Sequence, residues 1–346
     1  MDLIPPPKAR PGDRVAVISP SWAGPGVYPE VHELAMRRLR DEIGMEPVEF
    51  PTTRRVDAPP QDRAADLMAA WADPSIRAVF ATIGGDDQIT VLPHLDPAVF
   101  RAHPKPFFGY SDNTNLLNWL WTHGLAAYHG GSTMVHLARG AGLHPVSAGS
   151  LRAALFDAGE REITPVDSFS EEDNAWGTPA ALTTSPPAIP SPGWVWHRAD
   201  RVVSGPTWGG NLEILSWNLA ANRWIRPVED YAGCVLMLET SEEMPSAHEV
   251  FRMLRNAGER GLLQQFPAVL MATGKATFFA SPRPPEQRQK YRDDQRDAVL
   301  RALEAYHPSA MVVFGVDFGH TDPQWILPYG GRVTVDGPGR RVIAHY

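Results

Sequence analysis

The chain has 346 residues, 43% of them hydrophobic and 21% charged, with a formal net charge of -8. That length supports a large core and two domains, and the negative charge, with no basic cluster, argues against a general nucleic-acid binder. No apolar run reaches membrane-spanning length, and the opening Met1-Asp2-Leu3-Ile4-Pro5-Pro6-Pro7 is not a signal peptide.

Residues 1–165 alternate strand and helix signals. Arg14 to Ser19 reads as a short buried strand ending in the turn Pro20-Ser21. Val31, Leu34, Ala35, Met36, Leu39 and Ile43 recur at helical spacing. Val48-Glu49-Phe50 is a second strand, Arg63 to Trp71 a second helix, and Ile76 to Ile83 a third strand running into Gly84-Gly85-Asp86-Asp87. A further helix is expected near Ile89 to Leu92. Phe107-Phe108 then ends a strand, Ser111 falls at the turn, and Asp112-Asn113-Thr114-Asn115 can cap the helix Leu116 to Trp121. This alternation predicts a parallel sheet with helices on both faces, with ligands bound beyond the C-terminal strand ends. Gly84-Gly85 and Ser111 both lie at such ends.

Residues 166–200 break the pattern. Ser168 to Trp176 is acidic with aromatic residues, Ser185 to Gly193 is proline-rich, and Trp194-Val195-Trp196-His197 follows. Three tryptophans are costly to leave in water. The segment therefore reads as a folded loop over a binding site in preference to an interdomain packing segment, although tryptophan suits either. From Arg201 the pattern resumes with shorter strands. Gly209-Gly210-Asn211-Leu212 looks like a glycine turn opening a helix, and Cys234 to Leu238 a strand ending at Glu239. Ala247 to Asn256 and Gln287 to Tyr306 are helices, and Ala268 to Ala272 is a strand. Met311 to Gly319 is a strand delivering His320, and strands flank Gly330-Gly331. Cys234, the single cysteine, is a core thiol in an apolar run.

Three polar residues terminate apolar strands: Ser111, Glu239 and His320. A serine hydroxyl needs a base to take its proton. Imidazole is the usual one, and a carboxylate can orient it and stabilise the imidazolium. Each residue also has an ordinary explanation, such as a turn, a helix cap or a loop hydrogen bond. Gly109-Tyr110-Ser111-Asp112-Asn113 is a partial match to the G-x-S-x-G elbow, ending in Asn. Gly84-Gly85-Asp86-Asp87 fits neither common phosphate-binding glycine motif and reads as an amide-donor loop facing the serine. His129-Gly130-Gly131 resembles a lipase oxyanion loop but follows the serine. The twelve histidines show no metal-ligand spacing, so neither a metal nor a cofactor is expected.

Together these motifs resemble the serine peptidases that include bacterial LD-carboxypeptidases and microcin C self-immunity peptidases. The resemblance covers nearly the whole chain. It rests on Ile83-Gly84-Gly85-Asp86-Asp87, Gly109 to Thr114, Tyr128-His129-Gly130, Gly209-Gly210-Asn211-Leu212, Leu238-Glu239-Thr240-Ser241 and Phe318 to Pro323, in that order. It implies Ser111 as nucleophile, His320 as base, Glu239 as the orienting acid, and an oxyanion hole at Gly85 and Asp112. It implies an α/β fold, with an N-terminal flavodoxin-like parallel-sheet domain (1–165) and a C-terminal mixed α/β domain (201–346). The site would lie between them, in a homodimer; the single cysteine and the absence of a signal-peptide pattern fit a cytoplasmic location. Residues 166–200 look like the substrate loop of the microcin immunity branch, whose tryptophans stack on a nucleotide base. Trp176, Trp194 and Trp196, with Asn211 and Gly84, are then the expected substrate contacts. The expected substrate is an aminoacyl- or peptidyl-nucleotide, with a murein tetrapeptide as the alternative. Two positions depart from the pattern. Glu243 stands where a lysine is expected, and His129-Gly130-Gly131 replaces His-Gly-Pro.

Overall fold

The computed structural model describes residues 3–346. Its first half carries β1 (Arg14–Ile18), β2 (Glu46–Glu49), β3 (Ile76–Ala81), β4 (Phe107–Gly109), β5 (Ala127–His129) and β6 (Glu160–Ile163). The middle segment holds β7 (Ser168–Phe169), β8 (Ile189–Pro190) and β9 (Val195–His197). The second half carries β10 (Val202–Asn211), β11 (Val235–Glu239), β12 (Ala268–Ala272), β13 (Met311–Val316), β14 (Leu327–Tyr329), β15 (Arg332–Asp336) and β16 (Arg341–His345).

The first sheet has the order β14-β5-β4-β3-β1-β2. Its five N-terminal strands are parallel, as the alternating pattern predicts, and their order 2-1-3-4-5 is the flavodoxin-like one that the family resemblance implies. The apolar runs of β1, β3, β4 and β5 are buried on both faces, as a parallel sheet under helices requires, while the edge strand β2 is only partly covered. The second sheet has the order β6-β16-β15-β10-β11-β12-β13-β9, parallel from β10 to β13 and antiparallel outside. The C-terminal ends of β1, β3 and β4 in one sheet, and of β11 to β13 in the other, supply the site.

The halves exchange strands. β14 closes the edge of the first sheet against β5, and β6 borders the second against β16. Residues 160–163, grouped with the N-terminal half on sequence, therefore pair in the second sheet. Gly330-Gly331 carries the chain from one sheet to the other and turns no hairpin. Apolar clusters cross the seam. Trp121 stacks on Tyr231 at 4.9 Å between centroids, and Trp208 donates to Asn118 at 2.9 Å. Truncating a buried ring of this size to alanine costs about 3–5 kcal/mol, so the seam is built like a domain interior.

Several local expectations are corrected. Gly209 and Gly210 open no turn: they end the ten-residue β10, longer than the short strands expected, and Asn211 caps the helix Leu212–Ala221. A Cβ on Gly209 would lie 1.9 Å from the Met237 carbonyl oxygen, and one on Gly210 2.9 Å from the Thr114 side chain. Both have positive φ, so glycine lets this strand end lie close against β11 at Gly209 and against the helix that follows Ser111 at Gly210. The helix expected near Ile89 is two 3-10 turns, Gln88–Thr90 and Leu92–His94. The segment 166–200 is not irregular throughout, since it holds three short strands and the helix Pro179–Thr183.

Candidate active site

The site starts at the end of β4. Tyr110 is extended, and Ser111 then takes φ +60°, a conformation that β-substituted residues rarely adopt. Thr114–Thr122 follows as a helix after the 3-10 turn Ser111–Asn113. A Cβ on Gly84 would lie 2.8 Å from Ser111 Cβ, so only glycine lets the loop after β3 close on the serine. That loop is laced to the serine turn. Gln88 donates to Asn113 at 2.7 Å and accepts from Leu116 N–H at 2.9 Å, while Asn113 donates to the Ile83 carbonyl at 3.0 Å. The Asp112 carboxylate is buried and does not cap the helix. It accepts from the Ser21 hydroxyl, from Gln88 N–H at 3.0 Å and from Asn115 at 2.8 Å. Burial raises its pKa, against these donors. Gly85 is exposed, with its α-carbon close to the Ser21 hydroxyl.

The other wall comes from the second sheet. Glu239 ends β11 and is fully buried. His320 lies four residues beyond β13, in a loop and not at the strand end as expected. Its Nδ1–H donates to Glu239 Oε2 at 2.5 Å, which sets the ring's tautomer and plane. The ring packs on Tyr110, 4.9 Å between centroids, next in sequence to Ser111. Its Nε2 lies 3.4 Å from Glu242 Oε2. Burial alone would lower the imidazole pKa, but the Glu239 carboxylate and its hydrogen bond, with Glu242 adding to them, push it up to about 9. A Cβ on Gly319 would meet Ala272 at 2.9 Å and Glu239 at 3.2 Å, so glycine lets this loop reach the carboxylate.

Sequence reasoning singled out His129 only as part of an oxyanion-like loop and missed Gln324 and Glu213, which with it brace this arrangement. His129 donates from Nε2 to the Phe318 carbonyl at 3.2 Å, and burial lowers its pKa to about 4, so it is neutral near pH 7. Gln324 donates to the carbonyls of Phe318 and Gly319 and accepts from Gly131 N–H at 3.0 Å. The His129-Gly130-Gly131 turn thus braces the histidine loop. Glu213 accepts from Ser241 N–H at 2.9 Å and its hydroxyl at 2.7 Å, holding the turn after Glu239. A charged residue within the otherwise apolar Leu212-Glu213-Ile214-Leu215 was the one available signal.

The expected substrate contacts fall into two groups. Half-buried Trp176 lies parallel to Trp22, with 6.5 Å between centroids and 8° between planes, and edge-on to Tyr28 at 5.5 Å. Trp22 N–H donates to the Gly84 carbonyl at 3.1 Å, which ties this aromatic group to the serine loop. Trp194 immediately precedes, and Trp196 lies within, the edge strand β9 on β13. Trp194 donates to Asp317 at 3.2 Å and Trp196 lies under Arg340, so the structure does not bring them to Trp176. Asn211 accepts from Ile214 N–H at 3.0 Å, leaving its buried Nδ2 without a partner. Glu243 keeps part of its surface in solvent, and its partial burial, with nearby Glu242 and Asp86, raises its pKa.

Two family profiles match this chain: the LD-carboxypeptidase N-terminal domain over residues 15–130 and the LD-carboxypeptidase C-terminal domain over 204–335. The chain belongs to the LD-carboxypeptidase family. Its relatives include a putative carboxypeptidase of Vibrio cholerae, 25% identical over 94% of this chain and 92% of that one. The Microcin C7 self-immunity protein MccF of Escherichia coli is 24% identical over 82% and 77%. A probable murein peptide carboxypeptidase of Bacillus subtilis is 27% identical over 80% and 73%. The fold matches that of an MccF-like protein from Streptococcus pneumoniae in complex with AMP, at TM-score 0.84 and 23% identity over 97% of this chain and 99% of that one. It also matches MccF in complex with glutamyl sulfamoyl guanosine, at TM-score 0.83 and 20% identity over 99% and 98%. The LD-carboxypeptidase family thus holds murein carboxypeptidases and a microcin immunity protein alike. Among the described residues no helix is long and apolar enough to cross a membrane.

Proposed function

We propose that this chain is a serine peptidase that hydrolyses the amide of an aminoacyl- or peptidyl-nucleotide through an acyl-enzyme. One observation carries the mechanism. The hydrogen-bonded Glu239–His320 pair packs against Tyr110, beside a serine held at positive φ under Gly84. In this reading Ser111 Oγ attacks the amide carbonyl carbon and its proton passes to His320 Nε2. The imidazolium is stabilised by Glu239, and the oxyanion faces the N–H groups of Gly85 and Asp112. Collapse of the tetrahedral intermediate breaks the C–N bond, and Nε2 returns the proton to the leaving nitrogen. Water then cleaves the Ser111 ester by the same proton route.

The nucleotide is favoured over a murein peptide by the aromatic group at the site's edge. Trp176 and Trp22 are only partly covered and offer flat faces. Solved MccF structures carry AMP, aspartyl sulfamoyl adenosine and glutamyl sulfamoyl guanosine. Asn211 is kept among the proposed substrate contacts on the resemblance alone, since its unpartnered Nδ2 is buried. Trp194 and Trp196 leave the proposed substrate contacts, since their partners are structural. Working units of 1–165, 166–200 and 201–346, a homodimer and a cytoplasmic location remain part of the proposal.

The test is hydrolysis of aspartyl sulfamoyl adenosine and of a murein tetrapeptide by the wild type and by Ser111→Ala. Cleavage of the nucleoside amide is expected, with a loss on the order of 10^4-fold or more in the variant. Cleavage of the tetrapeptide alone would move the assignment to murein recycling. Near-normal activity in Ser111→Ala would remove the mechanism.

A further inference from the structure

His320 lies between two carboxylates of one short stretch. Nδ1 faces Glu239 Oε2 at 2.5 Å and Nε2 faces Glu242 Oε2 at 3.4 Å. Among the described residues no hydrogen bond joins His320 to Ser111. Glu239 is fully buried and fixed by its strand. The Glu242 side chain is 41% exposed, in the turn after β11. A base serving Ser111 must use Nε2, because Nδ1 is committed to Glu239. Glu242 therefore faces the nitrogen that the serine needs.

We propose that Glu242 is a positioning residue that competes with Ser111 for Nε2 of His320 in the free enzyme. It withdraws when substrate is seated, and so sets the pH above which the base becomes available. The inference rests on the reading of His320 as the base. A carboxylate at Nε2 holds the ring as imidazolium, which cannot accept the serine proton. Other groups facing the ring are Glu239 from β11, Lys275 after β12, Tyr110 after β4, and His129 and His136 from β5 and the turn beyond it. Glu243 and Asp322 lie further out. Lys275 is paired with Asp173, and the buried histidines are held neutral, with pKa near 4. Glu242 is thus the one partly exposed anion in direct contact with Nε2 among the described residues.

The sign is fixed: removing an anion beside the ring lowers the ring's pKa. The acid limb of kcat/KM reports the free enzyme's base, so it moves with that pKa. The experiment compares wild type, Glu242→Gln and Glu242→Asp in two ways. One is the pH profile of kcat/KM on whichever substrate is cleaved. The other is the titration of His320 by NMR of histidine-labelled protein without substrate. In Glu242→Gln both midpoints should fall together by about one unit or more. In Glu242→Asp, which keeps the charge on a shorter arm, they should fall less. An unmoved NMR titration would overturn the contact, whatever the profile does. A moved titration with an unmoved acid limb would overturn the competition and point to another base. Should the wild type cleave neither substrate, the reading of function fails and the NMR titration still decides whether Glu242 governs the ring.

Discussion

At the scale of single residues, the site is a set of charges kept where burial disfavours them. Glu213 shows this outside the reacting atoms. It is buried, and that burial, with Glu239 nearby, pushes its carboxyl up to about 7. Oε1 takes both bonds from Ser241, and Oε2 has no partner. A carboxyl whose folded pKa lies above its unfolded value near 4.5 costs stability as pH rises from about 4.5 through 7. Glu213→Gln keeps an acceptor for Ser241 and removes the charge. Its melting temperature should exceed that of the wild type at pH 8, by a gain on the order of 2 kcal/mol, and the difference should vanish near pH 4. Calorimetry at the two pH values checks this. A variant less stable at pH 8 would show that the charge itself holds the turn.

At the scale of elements, the segment 166–200 divides into two parts with different work. Its first part is tied to the second half of the protein by ion pairs and backbone bonds. Glu171 pairs with Arg292 at 2.7 Å and Arg288 at 3.2 Å, Asp173 pairs with Lys275, and Ser170 exchanges backbone hydrogen bonds with Asp322. Trp176 is carried on this part, against Trp22 and Tyr28. The second part becomes β9 and packs as sheet edge. Trp176→Ala should cost about 1–2 kcal/mol of stability, the worth of two aromatic contacts. It should weaken kcat/KM for a nucleotide-bearing substrate by about 1–3 kcal/mol and leave any murein peptide cleavage nearly unchanged. Trp194→Ala should instead cost about 2 kcal/mol of stability, for a half-buried ring with one hydrogen bond, and leave the ratio of the two activities as it was. Equal losses on both substrates in Trp176→Ala would assign that ring to packing.

At the scale of the whole molecule, the exchanged strands make the halves interdependent. The fragment 1–165 lacks β14, so its sheet would end at β5 with an unpaired edge. It would also expose Trp121 and Asn118, which meet Tyr231 and Trp208 across the seam. Expressed alone, the fragment should aggregate or remain without dispersed amide signals, and added 166–346 should not restore it at micromolar concentration. A monomeric, well-dispersed 1–165 would show that the seam is an interface between independent domains. The same interdependence holds the site together, since Ser111 comes from one sheet and the Glu239–His320 pair from the other.

Much of this was legible in the chain itself. The parallel sheet follows from buried apolar runs alternating with amphipathic helices, a local periodicity that needs no partner to be read. The strand ends at Ser111 and Glu239 follow from where polar residues interrupt those runs. Other features depend on residues far apart in sequence. Gln324 braces the His129 turn, Glu242 reaches Nε2, and β14 crosses back to β5, and no spacing rule encodes such meetings. Trp194 and Trp176 are the same residue type in one segment, and their chemistry alone does not distinguish sheet edge from substrate face. Only the register of β9 on β13, and the Trp22 and Tyr28 rings beside Trp176, separated them. The sequence by itself determined which residues would be buried or polar at each strand end, because that is local hydrophobic patterning. The tertiary structure decided which of them face one another, because that depends on how two sheets close on a common seam.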